Sequence, residues 1–407
     1  MDQMTSRKGL NIQSVSYKSV FRLYFFLWWM METVLISYVQ PILRILPIVG
    51  QIGEYIIPAG MAFLLMLAVP HIISQLRATD LLFYLVVTIV VLGTMLLYPE
   101  NGEYIEPELW RILGMTVPVY FLGLCYDHDE MKKDIYWASV LSLLAKGAYQ
   151  IYKLNTVGNL DEEDMNSAYL VLPSVLYLVY WAFTKKNLLH WILPVAGAML
   201  IFTYGTRGPL VIIIIYLAVL LFLRVIWRPG GAWRYVGTGL LVLAVLVLLT
   251  TNVVMDFAEM MSKAFQEMGI SSRIFDKFLE GEFAESKSRE ILAEQVKDFI
   301  SQNLILGGGF YADRALIDNY VHNLFLELWC HFGIFAGSGI LLAVVCLVVS
   351  ALLREREINK RDIMLLLACM IFVKLMLSSS YALEPYFFFM IGLSVTVLRR
   401  RKQFREW

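Results

Sequence analysis

The residues that could do chemistry fall into a few groups. In "YGTRGPLV", Arg207 occupies a four-residue loop between two long apolar runs, with Gly205 and Gly208 permitting a tight turn and Pro209 suited to the first turn of a helix. It is either a fixed cation for an anionic lipid headgroup or an arginine that snorkels to the interface. In "SKSREILAEQV", Arg289 leads an amphipathic pattern, and Arg273 and Arg314 flank it. Guanidinium groups stay charged and offer paired donors to phosphate oxygens, so two of them from separate segments could clamp a diphosphate. Each could equally pair with Glu285, Glu290 or Glu294. In "YVHNLFLELWCHFGIFAG", His322 suits general acid or base work near neutral pH. On a continuous helix Asn323, Glu327 and His331 share one face, while His322 points about 100° away, and Glu327 and His331 are expected to satisfy each other. Asp164, Asn166 and Tyr169, in "DEEDMNSAY", could touch sugar hydroxyls or belong to an ordinary acidic loop.

Other chemistries find less support. His71, His128 and His190 have no carboxylate or cysteine at ligand spacing, so no metal or other cofactor is expected. "GGGF" at 307–310 is not followed by a helix carrying Lys and Ser or Thr, which disfavours a nucleotide loop. Cys125, Cys330, Cys346 and Cys369 read as small buried hydrophobes. Formal charge balances at +0, which gives no electrostatic case for nucleic acid.

These residues must be positioned by a membrane protein. Of the 407 residues 59% are hydrophobic and 17% charged, and the mean hydropathy is +0.64; a soluble fold of this size could not bury so much apolar surface. Apolar runs predict about twelve α-helical spans near 23–42, 55–73, 81–98, 109–125, 135–153, 166–183, 188–204, 209–226, 235–255, 322–350, 363–379 and 383–398. Without a cleavage site near the start, the first run is expected to serve as an uncleaved anchor. Lys and Arg collect in alternate loops and in the tail "RRRKQFREW", whereas "PENGEYIEPE" and "NTVGNLDEEDM" have none, so both termini are expected to be cytoplasmic. The expected fold is an all-α polytopic bundle: residues 1–255 with about nine spans, a helical extracytoplasmic cap at 256–321, spans ten to twelve at 322–398, and a basic tail at 399–407. Buried Lys374 and Glu384 are costly placements that would line a polar cavity.

The order of elements from about 164 to 337 resembles the O-antigen ligase and O-antigen polymerase superfamily. Thr206-Arg207-Gly208 precedes an apolar helix, one large outer loop carries an arginine-led helix and "GGGF", and His322-Asn323 leads a span with Gly333 after nine residues. The pattern departs at Ala336, with Gly337 next, and Ala293 stands where ligases tend to have Leu after the cap arginine. The resemblance implies a metal-independent glycosyltransferase of the bacterial plasma membrane, acting on its outer face on undecaprenyl-diphosphate-linked oligosaccharides. Arg207 and Arg289 would stabilise the leaving diphosphate, His322 would orient or deprotonate the acceptor hydroxyl, and Asn323 would hold its geometry. Polymerisation of repeat units is the leading reading, with a flippase and a chain-length regulator as possible partners. Ligation to another acceptor is the alternative, and transport of lipid-linked sugars a third.

Overall fold

The computed structural model describes residues 17–45, 52–157, 165–185, 187–204, 206–226, 259–260, 262–264, 266–267 and 287–403. The expected ninth span, Asp164, Arg273 and most of the cap's first half lie outside these residues. Within them the chain is all-helical: α1 Tyr17–Trp29, α2 Met31–Ile45, α3 Gly53–Gln75, α4 Ala78–Leu97, α5 Pro99–Cys125, α6 His128–Val157, α7 Met165–Lys185 and α8 Leu188–Thr203. There follow α9 Arg207–Leu221, α10 Lys287–Gln302, α11 Ala312–Ile317, α12 Leu324–Arg354, α13 Ile358–Leu377 and α14 Pro385–Gln403. Six described helices are long and apolar enough to cross a membrane, or up to seven if α1 and α2 form one broken span. The chain is therefore a largely membrane-spanning all-α protein.

One expected polar break is helical. "PENGEYIEPE" forms the first turns of α5, because Pro99 occupies the first helical position and Glu100 lies in the first turn, where the missing N–H costs nothing and a negative charge is favoured. Asn101 and Ile105 of that stretch are buried.

Two compact units make up the chain. The first comprises residues 1–28, 58–132 and 287–407. Its helices approach closely where side chains are absent: a Cβ on Gly123 would lie 2.3 Å from the carbonyl oxygen of Phe389, and one on Gly392 2.1 Å from that of Tyr120. Small residues give membrane helices this contact in the absence of a hydrophobic driving force. At the same end buried Asp80 accepts both arms of Arg399, at 2.8 and 2.6 Å, and the Tyr120 hydroxyl at 2.6 Å, which ties α4, α5 and α14 together.

The second unit comprises residues 29–57 and 133–286. Its centre is α7, whose Val171, Leu172, Val175 and Leu176 are fully buried. Small polar pairs knit α6 to its neighbours: Thr33 donates to Ser142 at 2.7 Å, Trp29 to Ser139 at 3.1 Å, and Lys146 to Ser167 at 3.3 Å.

Gly392→Ala is expected to destabilise the first unit by about 2 kcal/mol, the scale of overpacking. Gly339→Ala, where a Cβ meets nothing within 4 Å, is expected to leave the unfolding midpoint of the purified protein unchanged; equal midpoints for the two variants would refute the contact.

Candidate functional site

The polar residues that interrupt α12 belong to a buried network of the first unit. Arg314, on α11, donates from Nη1 to Asp313 Oδ1 at 2.7 Å and to Glu327 Oε1 at 2.9 Å. Glu327 also accepts from the Ser380 hydroxyl at 2.5 Å and the Tyr381 N–H at 3.3 Å. His331 lies 2.8 Å from Asp313 Oδ1 through Nε2 and 2.8 Å from the Tyr381 hydroxyl through Nδ1. An ionised carboxylate can only accept, so Nε2 carries a proton. In the neutral ring Nδ1 then accepts from Tyr381. Asp313 and His331 are fully buried, and Glu327 and Arg314 are 1% and 7% exposed.

Glu327 and His331 therefore do not pair with each other as their spacing implied. Each is matched by groups from elsewhere in the chain, which four-residue periodicity cannot reveal. Burial opposes the charge on Asp313, but the electrostatic attraction of His331 and Arg314, and then their hydrogen bonds, outweigh it and hold its carboxyl below the usual range. Burial likewise opposes the Arg314 charge, and Asp313 and Glu327 more than compensate.

Asp313, Glu327 and His331 bring ligand atoms within 4.8 Å of one another, a set that could hold a metal ion. Arg314 Nη1 takes the position between the two carboxylates, so an ion bound there would displace a guanidinium from its two partners. Arg314 is thus committed to the network, with Nη2 buried and without a hydrogen-bond partner among the described residues.

Glycines set the backbone around this network. At Gly333, φ is +74° and α12 is broken; the carbonyls of Cys330 and His331 accept from Gly308 and Gly309 N–H at 2.8 and 2.9 Å, and Ile334 N–H donates to Leu304 at 2.9 Å. A Cβ on Gly333 would lie 2.3 Å from the Ile305 carbonyl oxygen. "GGGF" is thus the strap that satisfies the broken span, and its own carbonyls, of Gly308 and Phe310, accept from Asn101 at 2.8 and 3.1 Å.

His322 stands just before α12, not on it. Asn323 is the N-cap, its Oδ1 accepting from Phe325 and Leu326 N–H at 3.0 and 3.2 Å. His322 itself adopts φ +55°, one of three non-glycine left-handed residues among the described residues, with Tyr311 and Asp318. Such conformations cost an L-residue about 1–2 kcal/mol and persist where surrounding contacts hold them. A run of planar groups supports the half-buried imidazole: Phe310 stacks on Tyr311 at 4.6 Å, Arg314 lies 4.0 Å over Tyr311 and 5.6 Å over Tyr320, and Tyr320 is 4.2 Å from His322. Tyr320 hydroxyl donates to the Ser378 carbonyl at 2.9 Å, and exposed Arg289 donates to that of Leu377 at 2.8 Å, so both cap the end of α13. Burial, then the charges of Arg289 and Arg314, push the His322 imidazole down to about 4. It is neutral at physiological pH. Lys374, in the last turn of α13, and Glu384, just before α14, form an ion pair at 2.5 Å.

Below this polar lip lies a cavity of about 310 Å³ without polar lining, formed by α4, α5, both halves of α12 and α14. Phe310, Leu324 and Tyr381 belong to its wall and to the polar layer or its immediate flank.

In the second unit, Arg207 opens α9 behind the N-cap Thr206. A cation at a helix N-terminus faces the positive end of the dipole, which strengthens its demand for an anion. The Tyr169 hydroxyl sits where a Cβ on Gly208 would be, 1.9 Å from that position, so the arginine turn and Tyr169 are neighbours; Asn166 is exposed one turn earlier. Sequence reasoning missed Asp313, Tyr311, Tyr320, Ser380 and Tyr381. The available signal was the polar "SSSYALEPY" turn beside a span carrying Glu and His.

The architecture and the site define a class: a polytopic helical membrane protein with a buried polar network beside an apolar cavity. Residues 192–341 match the Wzy_C family model, described as O-antigen ligase. No curated protein matches the chain.

Arg314→Met should cost about 3–5 kcal/mol, since it leaves two buried carboxylates without their cation; Arg314→Met with Asp313→Asn and Glu327→Gln should recover much of that loss in thermal unfolding. Full stability of the single variant would contradict the pairing. In a histidine-resolved NMR titration, Arg289→Gln should raise the His322 midpoint, because removing a nearby positive charge favours the imidazolium; a fall or no change would contradict the assigned cause.

Proposed function

We propose that this protein is a glycosyltransferase that joins undecaprenyl-diphosphate-linked oligosaccharide repeat units into a surface polysaccharide, on the outer face of a bacterial plasma membrane. The observation that carries the reading is the junction in the first unit, where half-buried His322 and exposed Arg289 stand close to a wholly apolar cavity that Leu324, two residues on, helps to line. Such a junction suits an amphiphile with a sugar-phosphate head and an isoprenoid tail.

In the proposed reaction an acceptor sugar hydroxyl attacks the anomeric carbon of the donor. The bond from that carbon to the diphosphate oxygen breaks, undecaprenyl diphosphate leaves with the electron pair, and the hydroxyl proton passes to His322. Arg289 meets the charge developing on the leaving group. Arg207, in the second unit, is a candidate cation for phosphate binding. Asn323 fixes the start of α12 and through it the His322 backbone. Arg314 acts through the buried network; Asn166 and Tyr169, with Asp164 and Arg273, serve sugar or phosphate binding. No divalent ion takes part. His322 alone is a weak base, depressed first by burial and then by nearby cations; a diphosphate beside Arg289 offsets that second effect, so substrate binding raises its proton affinity. The same reading gives the chain about twelve spans, an outer cap between the ninth and tenth and cytoplasmic termini, as the sequence pattern predicts. A flippase and a chain-length regulator are its proposed partners.

Ligation to a different acceptor is the second reading, favoured by the description of the matching family. Purified protein given only lipid-linked repeat units should yield a ladder of lengths with chelator present and no nucleotide. A single transfer to an added acceptor supports ligation, and translocation without bond formation overturns both. His322→Ala and Arg289→Ala should each lower kcat at least about 100-fold with normal membrane insertion, and the acid limb of kcat should lie at higher pH than that of kcat/KM. Unimpaired ladders from either variant would remove that residue from the site.

A further inference from the structure

The first unit carries a second polar site at the opposite end of its helices. Helix α4 runs from Arg77 and Asp80 at one end to Thr94 at the other, where Thr94 accepts from Phe310 N–H at 3.2 Å. Its 20 residues rise about 30 Å, so the two sites are separated by about the thickness of a hydrocarbon core. Around the Arg77 end lies a predominantly polar cavity of about 190 Å³ lined by Lys18, His71, Arg77, Asp127, Arg399 and Arg400, among others.

Its charges are held but not balanced. Arg399 is fixed by both oxygens of fully buried Asp80. Lys18 pairs with Glu130 at 2.5 Å. Arg400 approaches Asp127 only to 3.6 Å, beyond hydrogen-bond length. Among the described residues, four cations lining or edging the space thus face three carboxylates, Asp80, Asp127 and Glu130, an excess of one positive charge before His71 is counted. Arg77 and Arg400 are both exposed and come from different segments, the turn before α4 and the end of α14. Two guanidinium forks facing one space suit a tetrahedral anion with several acceptor oxygens. The rim continues into lipid-facing surface, for Ile73, Leu81 and Leu82, which bracket Arg77 in sequence, are 61%, 55% and 57% exposed.

We propose that this cavity binds a phosphate-type anion, supplied by the headgroup of an anionic phospholipid in the leaflet opposite the candidate active site. The acyl chains lie along the apolar rim of α3 and α4, and the phosphate sits between Arg77 and Arg400, with Arg399 held as the rigid wall. The bound lipid fixes the depth of the first unit in the membrane. Basic pockets between membrane helices hold anionic headgroups in this way, each cation near the surface adding to the attraction.

The test compares full-length protein in nanodiscs of phosphatidylcholine alone with nanodiscs containing phosphatidylglycerol, and counts lipid retained after detergent extraction by native mass spectrometry. Wild type should retain phosphatidylglycerol at least about tenfold over phosphatidylcholine and unfold at higher temperature in the mixed discs. Arg77→Glu with Arg400→Glu should abolish both effects while keeping the wild-type midpoint in pure phosphatidylcholine, and Arg77→Lys with Arg400→Lys should keep most of the retention. If the double reversal does not fold, Arg400→Gln should still lower retention several-fold. Inorganic phosphate in phosphatidylcholine discs forms a separate arm: stabilisation by phosphate, with no lipid preference, would uphold the anion site and overturn the lipid as its source. Equal retention of both lipids with no response to phosphate, or undiminished phosphatidylglycerol retention in the charge-reversed variants, would overturn the proposal.

Discussion

One guanidinium nitrogen of Arg314, shared between the buried carboxylates of Asp313 and Glu327, is the contact on which the rest of the first unit depends. Ionised groups removed from water are tolerated only when matched in charge and in hydrogen bonds. Matching these groups requires three stretches of chain at once: the short helix α11, the start of α12, and the turn of Ser380 and Tyr381 before α14. None of the three could move away without leaving a charge uncompensated. The backbone accepts left-handed conformations at Tyr311, Asp318 and His322 as a consequence, and His322 is held where no helix would place it.

The same logic governs the main chain. A span that breaks at Gly333 frees carbonyls, and non-helical backbone at membrane depth survives only where protein satisfies it. The "GGGF" strap supplies the donors, and its glycines permit the approach: a Cβ on Gly307 would lie 2.5 Å from Gly333 N. Broken helix and strap are one structural device, anchored by Asn101 on α5. Its outcome is a division of labour within one unit, with charge and hydrogen bonds gathered into a layer near His322 and an apolar cavity that shares Tyr381 with that layer. A lipid-linked sugar has the same division.

Much of this was legible in the sequence, for reasons that also explain what was not. Helix positions follow from runs of apolar residues of about membrane length, so α3, α4, α7, α9 and α12 fall where hydropathy places them. His322-Asn323 was visible as a polar start to an apolar run, and Asn323 proves to be the N-cap such a residue favours. Long-range pairing was not legible. Glu327 and His331 looked like partners because periodicity reports only neighbours along one helix, whereas their actual partners lie on α11 and around Tyr381. Arg314 read as one more phosphate ligand, because nothing local distinguishes an arginine that meets solvent from one that meets two buried carboxylates. "PENGEYIEPE" read as a loop on composition, although Pro99 and Glu100 carry the marks of a helix start.

The proposed function places the isoprenoid tail of the substrate in the apolar cavity close to His322. Photo-crosslinking with an undecaprenyl diphosphate analogue carrying a diazirine in its tail, with adducts mapped by mass spectrometry, tests this directly. The account predicts adducts on cavity residues such as Val87, Leu328 and Phe388, suppressed by excess unlabelled lipid. Adducts confined to outward-facing positions such as Leu85 and Leu342, insensitive to competitor, would contradict it.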